Sequence, residues 1–342
     1  MRNKKLNFAV IGCGNIGTRH LHELLQHKNA NVIAVCDIDE RKNPSSKIEG
    51  DYQFTTSFHS ILKNKNIDIV NICTPHYLHA AMSINALKSN KHVLVEKPMC
   101  ISYNDAKKMN AAATKYQKQL VVVKQNRYNF PVQEVDKLLV KNKLGKIIEV
   151  HCSILWNRND AYYSSSDWRG KIATEAGALF TQGSHFIDLL VHWFGAIKST
   201  HAIISTLNHS IEIEDSGNAT VKFTSGTIGK INWSNNVFQK NYEGSITIFG
   251  EKGTVKIGGQ YLNKIEYWDV SSIQQPIQKN VIDAQNQYQS GYQGSSSNHH
   301  LVFNDIINRI LFNKKVHLVQ GDEAAKSIDA IQKIYKSAKQ LN

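Results

Sequence analysis

Phe8-Ala9-Val10-Ile11-Gly12-Cys13-Gly14-Asn15-Ile16-Gly17 begins as an apolar run and closes as a loop of spaced glycines. The run reads as a buried strand. Beyond it, Ile16, His20, Leu21, Leu24 and Leu25 recur at helical spacing, and a second apolar run, Val32-Ile33-Ala34-Val35-Cys36, ends at Asp37. Strand, glycine loop, helix, strand and acidic residue in this order are what a dinucleotide-binding βαβ unit requires. Gly12 suits the tight turn, Gly14 lets the backbone approach a pyrophosphate, and Gly17 lets the helix pack on the strand. The amides around Cys13, Asn15 and Ile16 then face the phosphates, where the helix dipole favours negative charge. Asp37 can accept hydrogen bonds from a ribose diol and would repel a 2′-phosphate, so NAD is favoured over NADP.

The alternation of strand and helix continues to about residue 124 and predicts a doubly wound parallel sheet, a Rossmann domain over residues 1–125. Ile67 to Cys73 reads as a strand ending at Thr74-Pro75, His92 to Val95 as one ending at Glu96-Lys97-Pro98, and Leu120 to Val123 as one leading to Gln125-Asn126-Arg127. Ligands of such sheets lie beyond the carboxyl ends of the strands. Thr74, Pro75, His79, Glu96, Lys97 and Gln125 are therefore expected on the cofactor side. From 126 to 342 the pattern changes. A strand over 146–156 and an apolar helix over 183–194 precede strand-like runs at 198–206, 211–223, 227–235, 244–250 and 253–258. They predict a substrate-binding and oligomerisation α+β domain around a large, mostly antiparallel open sheet. Residues 283–298 read as a polar loop. A helix over 322–340 opens at Asp322, turns Ile328, Ile331, Ile334, Tyr335 and Ala338 to one face, and is expected to pack back on the first domain.

With 342 residues, 41% hydrophobic and 20% charged, the chain is long enough for two cores and has no apolar stretch long enough to cross a membrane. The glycine loop interrupts the first apolar run too early for a signal peptide. Five scattered cysteines without a C-x-x-C pattern suggest a reducing, cytoplasmic setting. The formal charge of +13 comes from dispersed lysines rather than a basic arm. That distribution points to a small anionic substrate and away from nucleic acid or a membrane as partner.

Removing hydride from a secondary alcohol needs a base for the hydroxyl proton and a cation beside the forming alkoxide. Lys97, at a strand end beside a proline, and His185, opening an apolar helix after Gly183-Ser184, are the catalytic candidates. His185, Asp188 and His192 stand at i, i+3 and i+7. A metal on that face is the rival reading, set aside for want of a fourth ligand.

Glu96-Lys97-Pro98 and Gly183-Ser184-His185-Phe186-Ile187-Asp188, following the glycine loop, make the chain resemble the glucose–fructose oxidoreductase / inositol dehydrogenase (Gfo/Idh/MocA) family from first strand to last helix. The resemblance implies that Lys97 contacts substrate and cofactor, that the Lys97-Pro98 bond is cis, and that His185 is the general base. Many members carry an Asp four residues before that histidine; here the position is Thr181, whose hydroxyl can orient a substrate but cannot hold a proton. The Asp is also missing from members acting on nucleotide-linked acetamido sugars and their uronates. Lys124 to Asn129 and the stretch from Trp156 to Gly170 look like that branch. Arg127, Arg158 and Arg169 suit phosphate or carboxylate. Tyr128, Asn157, Tyr163 and Trp168 beside them suit a sugar or base face. The implied reaction is oxidation of C3 of UDP-N-acetylglucosamine or its uronate to the 3-keto sugar for surface-polysaccharide synthesis, by a homodimer or homotetramer. The alternatives are an inositol or free-sugar dehydrogenase, and an NAD-dependent glycosidase.

Overall fold

The apolar run before the glycine loop lies inside a wholly parallel sheet. Strand β1 (Leu6–Ile11) pairs with β2 (Ala30–Cys36) on one side and with β4 (Ile69–Ile72) on the other. Strands β3 (Gln53–Thr55), β5 (His92–Val95) and β6 (Leu120–Val122) complete the order β3-β2-β1-β4-β5-β6. Winding reverses between β1 and β4, where ligands of such sheets bind. Phe8, Ala9, Val10 and Ile11 are all buried, so β1 is covered on both faces. Burial of both faces explains why it reads as a continuous apolar run without alternation. The connecting helices are α1 (Asn15–Gln26), α2 (Phe58–Lys63), α3 (His79–Lys88) and α4 (Tyr103–Lys115). Ser57 and Ser102 cap α2 and α4 by accepting the amides of Ser60 and Asp105.

The computed structural model describes residues 4–278, 286–287, 293–294 and 298–340. It falls into two compact units, Met1–Lys124 with Asn298–Ile328, and Gln125–Ser297 with Asp329–Asn342. Residues 298–321, expected with the second domain, thus cluster with the parallel sheet, as does the start of the last helix to Ile328, whereas the rest of that helix clusters with the second unit. Within that unit α9 (His299–Phe312) packs on α1, and the Val122 amide donates to Val319 O at 3.0 Å.

The second unit holds α5 (Phe130–Val140), α6 (Asp160–Ser164), α7 (Ala178–Thr181), α8 (Ser184–Phe194) and a larger sheet. Its strands are β7 (Ile147–Leu155), β8 (Ile197–Ser205), β9 (Ser216–Phe223), β10 (Ile228–Ser234), β11 (Glu243–Gly250), β12 (Gly253–Gly258) and β13 (Lys264–Val270). The pair β14 (Asn286–Gln287) and β15 (Gln293–Gly294) stands apart from it. Helix α10 (Gly321–Ser337) leads into β16 (Ala338–Gln340), giving the order β13-β12-β11-β7-β10-β9-β8-β16. Only β7 with β10 and β8 with β16 are parallel. Val150, Cys152, Ile154, Ile231, Trp233, Ile246 and Ile248 fill its buried face.

Three details depart from the sequence reading. The strand expected from 211 begins at Ser216, because the Asp215 carboxylate gathers the amides of Leu207, Asn208 and His209 into a turn. β13 escapes notice because charged residues interrupt it and Val270 alone is buried along it. The last helix stops at Ser337, and Ala338 belongs to a strand. Of the polar 283–298 stretch, only 286–287, 293–294 and Asn298 lie inside the described residues. All five cysteines are buried and unbridged, and no described helix is long and apolar enough to cross a membrane.

Candidate active site

In the first unit the glycine loop is built as the spacing demands. Gly12 has φ +91°, and a Cβ there would lie 2.7 Å from the Cys73 carbonyl oxygen. A Cβ on Gly17 would collide with the Gly12 carbonyl oxygen, whereas one on Gly14 would meet nothing within 4 Å. Space is therefore kept at the residue where a pyrophosphate must approach, and chain packing occupies the other two. Asp37 ends β2 with its carboxylate anchored, accepting the amides of Cys13 at 2.8 Å and Asp39 at 3.0 Å. Asn15 is exposed and Ile16 half-buried at the start of α1. Open backbone at Gly14, a helix N-terminus and a fixed carboxylate fit NAD.

At the ends of β4 and β5, Thr74 and Pro75 are half-buried, and the Lys97-Pro98 bond is cis. His79 is fully buried, with its ring nitrogens 2.8 Å from the carbonyl oxygens of Pro98 and Thr74. It ties those two strand ends together and offers no surface to a cofactor. Burial lowers its pKa, with the two carbonyls opposing. Lys97 is half-buried. The Glu96 carboxylate accepts the Lys97 amide on Oε2 at 3.0 Å, and its Oε1 faces His20 Nε2 at 3.1 Å and His299 Nε2 at 3.6 Å. Burial opposes charge on both members of the inner pair. The imidazoles nonetheless hold Glu96 well below the carboxylate range, and Cys73 and Glu96 hold His20 well above its ordinary value.

In the second unit, α7 and α8 meet at Gln182-Gly183, and Thr181, Gln182, Ser184, His185 and Asp188 are all buried there. A Cβ on Gly183 would press on Leu179, so the glycine permits the sharp entry to α8. Gln125 and Asn126 are buried in a short turn, Gln125–Tyr128, from which Arg127 pairs with Asp188 at 2.8 Å. The same guanidinium stands 3.3 Å from His192 Nδ1. Arginine thus occupies the face of α8 that was weighed for a metal. Tyr128 is half-buried beside it.

Arg158 is 1% exposed and donates to Gln182 Oε1 at 2.6 Å and Asn241 Oδ1 at 3.1 Å, beneath Trp156 and Tyr162. Gln182 in turn donates to the Tyr162 hydroxyl at 2.9 Å. Arg158 therefore braces the wall that leads to His185. Asn157 is also engaged inside the chain, with its side chain on Val237 O, and Tyr163 accepts from Asn235. Arg169 lies over the Tyr162 ring at 4.0 Å and donates to Tyr162 O, while it and Trp168 keep partial exposure.

Two acids here escaped the sequence reading. Glu175 is buried, accepts the Gly170 amide at 2.5 Å, and has its pKa raised by burial against the lowering effect of the Thr181 hydroxyl. Glu214 accepts the Ala178 amide, the Trp233 indole and the Tyr335 hydroxyl on one oxygen, and burial pushes its pKa up to about 7. Neither lies in a recognisable motif, since each is brought to α7 by the fold.

The fold and its glycine loop match two family models. One, the oxidoreductase family with NAD-binding Rossmann fold, covers residues 6–124, and the other, the GFO/IDH/MocA C-terminal domain, covers 132–256. The chain belongs to the Gfo/Idh/MocA family. This Gfo/Idh/MocA chain is accordingly an NAD-dependent oxidoreductase whose first unit carries the cofactor site. It is similar to the WlbA dehydrogenase of Bordetella pertussis, solved with NADH and UDP-GlcNAcA, at 31% identity and TM-score 0.86, covering 98% of this chain and 96% of that one. The WlbA dehydrogenase of Chromobacterium violaceum, solved with the same two ligands, is 34% identical at TM-score 0.87, over 98% and 94%. Among curated Gfo/Idh/MocA relatives, a 1-carboxy-3-chloro-3,4-dihydroxycyclohexa-1,5-diene dehydrogenase of Comamonas testosteroni is 25% identical over 72% of this chain and 63% of its own length.

Proposed function

We propose that the protein oxidises a sugar secondary alcohol, namely C3 of UDP-N-acetylglucosamine or of its uronate, to the 3-keto sugar. The observation that carries this reading is the full-length similarity, above 30% identity, to two dehydrogenases solved with UDP-GlcNAcA. Thr181 in place of an acidic residue supports it, because a free-polyol enzyme of this family commonly pairs its histidine with an aspartate there. NAD, when bound, accepts the hydride. Within the chain, His185 takes the hydroxyl proton and Lys97 stabilises the alkoxide as the carbonyl forms. Arg169 and Trp168, which keep exposed surface, hold the anionic and planar parts of the substrate, with Arg127, Tyr128, Asn157 and Tyr163 shaping the pocket and Arg158 acting from behind it. A dimer or tetramer formed through the open face of the larger sheet is part of the same reading.

NADH formation is to be followed with UDP-N-acetylglucosamine, its uronate, myo-inositol and glucose, and repeated with a 2-oxoacid present and product analysis by mass spectrometry. A 3-keto product from the UDP-linked sugars alone, lost by about 10²- to 10⁴-fold in Lys97→Ala and His185→Ala, is expected. Turnover of inositol alone would sink the reading, and glycoside cleavage without net NADH would replace it with the glycosidase.

A further inference from the structure

Among the described residues, the ligating atoms of three side chains that can hold a metal, His20, Glu96 and His299, lie within 4.8 Å of one another, and all three residues are buried. They come from the body of α1, the end of β5 and the start of α9, within the first unit. A buried carboxylate needs a positive partner, which can be a proton on an imidazole or a metal ion. The geometry separates the two. His20 Nε2 is 3.1 Å from Glu96 Oε1, yet neither atom makes a hydrogen bond of acceptable geometry. A close pair of this kind also suits two donors to one cation, since ligands about 2 Å from one cation stand a little over 3 Å apart.

The surroundings agree. A metal-bound imidazole donates its other ring N–H to a fixed acceptor. His20 Nδ1 faces the buried Asn71 carboxamide, Oδ1 at 3.3 Å and Nδ2 at 3.0 Å, and the Cys73 sulfur at 3.2 Å, and the oxygen or the sulfur can receive it. Glu96 is oriented by the Lys97 amide on its other oxygen, and His299 is held at a ring-centroid distance of 5.1 Å from His20. Two nitrogens and one carboxylate oxygen disfavour magnesium and calcium, which take oxygen ligands. We propose that His20, Glu96 and His299 form a binding site for a zinc ion, which clasps α1, the end of β5 and α9 together behind the glycine loop and Lys97.

The test uses the full chain, stripped with a chelator and titrated with zinc against a chromophoric competitor. One tight equivalent is expected. It should weaken at least about 100-fold in His299→Asn and Glu96→Gln, and persist in His201→Asn on the exposed sheet face. Zinc at about a hundred times its dissociation constant should raise Tm by about 5 °C in the wild type only. Because a variant can lose its fold, the wild type with one equivalent of zinc is also examined by X-ray absorption, expected to show two imidazoles and one carboxylate at about 2.0 Å. Binding no tighter than in the His299→Asn protein, or a shell containing sulfur or lacking imidazole, would overturn the site and leave a His20–Glu96 ion pair.

Discussion

Three glycines in one loop do different work, and single substitutions separate them. Gly14→Ala adds a methyl that meets no chain atom, so Tm should stay within a degree or two while NADH affinity, read by fluorescence titration, falls at least tenfold. Gly17→Ala strikes the Gly12 carbonyl and should lower Tm by several degrees even without cofactor. Equal behaviour of the two would contradict the division of labour. Arg158→Ala should cost about 3 kcal/mol in urea unfolding, because it orphans buried acceptors on Gln182 and Asn241 and empties a large volume. Arg169→Ala, partly exposed, should cost under about 1 kcal/mol. The glycine loop and Asp37 were legible in sequence because their chemistry depends on spacing along one short segment. The division among the arginines was not, since residue type announces a cation but not whether it faces a ligand or Gln182.

The turn between α7 and α8 is stapled from a distance. Glu214 holds the Ala178 amide and Tyr335, while the Tyr335 hydroxyl also receives the Leu179 amide at 2.9 Å. Glu214 binds its proton more tightly folded than unfolded, at about 7 against an ordinary 4.5. Its contribution to stability is therefore complete below about pH 4.5 and is lost as pH rises through 7, an effect of about 3 kcal/mol. Glu214→Gln should flatten the pH dependence of unfolding between about pH 5 and 8. A slope identical to wild type would show that the carboxyl is not protonated in the fold. Elements with strong periodicity, such as β1 and α8, were readable to within a residue or two. The 211–215 turn and β16 depend on partners far along the chain, Asp215 collecting amides and β8 offering an edge, and no local pattern encodes that.

The larger sheet leaves one face in the open. Across it His201, Thr220, Lys230, His151, Thr247, Lys256 and Tyr267 stand in register, with Ile203 on β8 47% exposed. Light scattering should find two or four chains of 38.6 kDa per particle, and Ile203→Lys should shift that mass toward one. A wild-type monomer at tens of micromolar would remove the oligomer from the reading.

The parallel-sheet unit is also discontinuous, residues up to Lys124 being completed by Asn298–Ile328. On a ribosome adding about 5–20 residues per second, the 174 positions from 124 to 298 take roughly 10 to 35 s. For that interval β1 to β6 exist without α9, and the surface of α1 around His20, which ends up against His299 and Phe303, waits for a helix not yet made. The second unit, likewise lacking the end of α10 from Asp329 and β16, is in the same position. Birth of this molecule is a delayed closure, with the time its first unit stays incomplete set by the order in which the chain emerges.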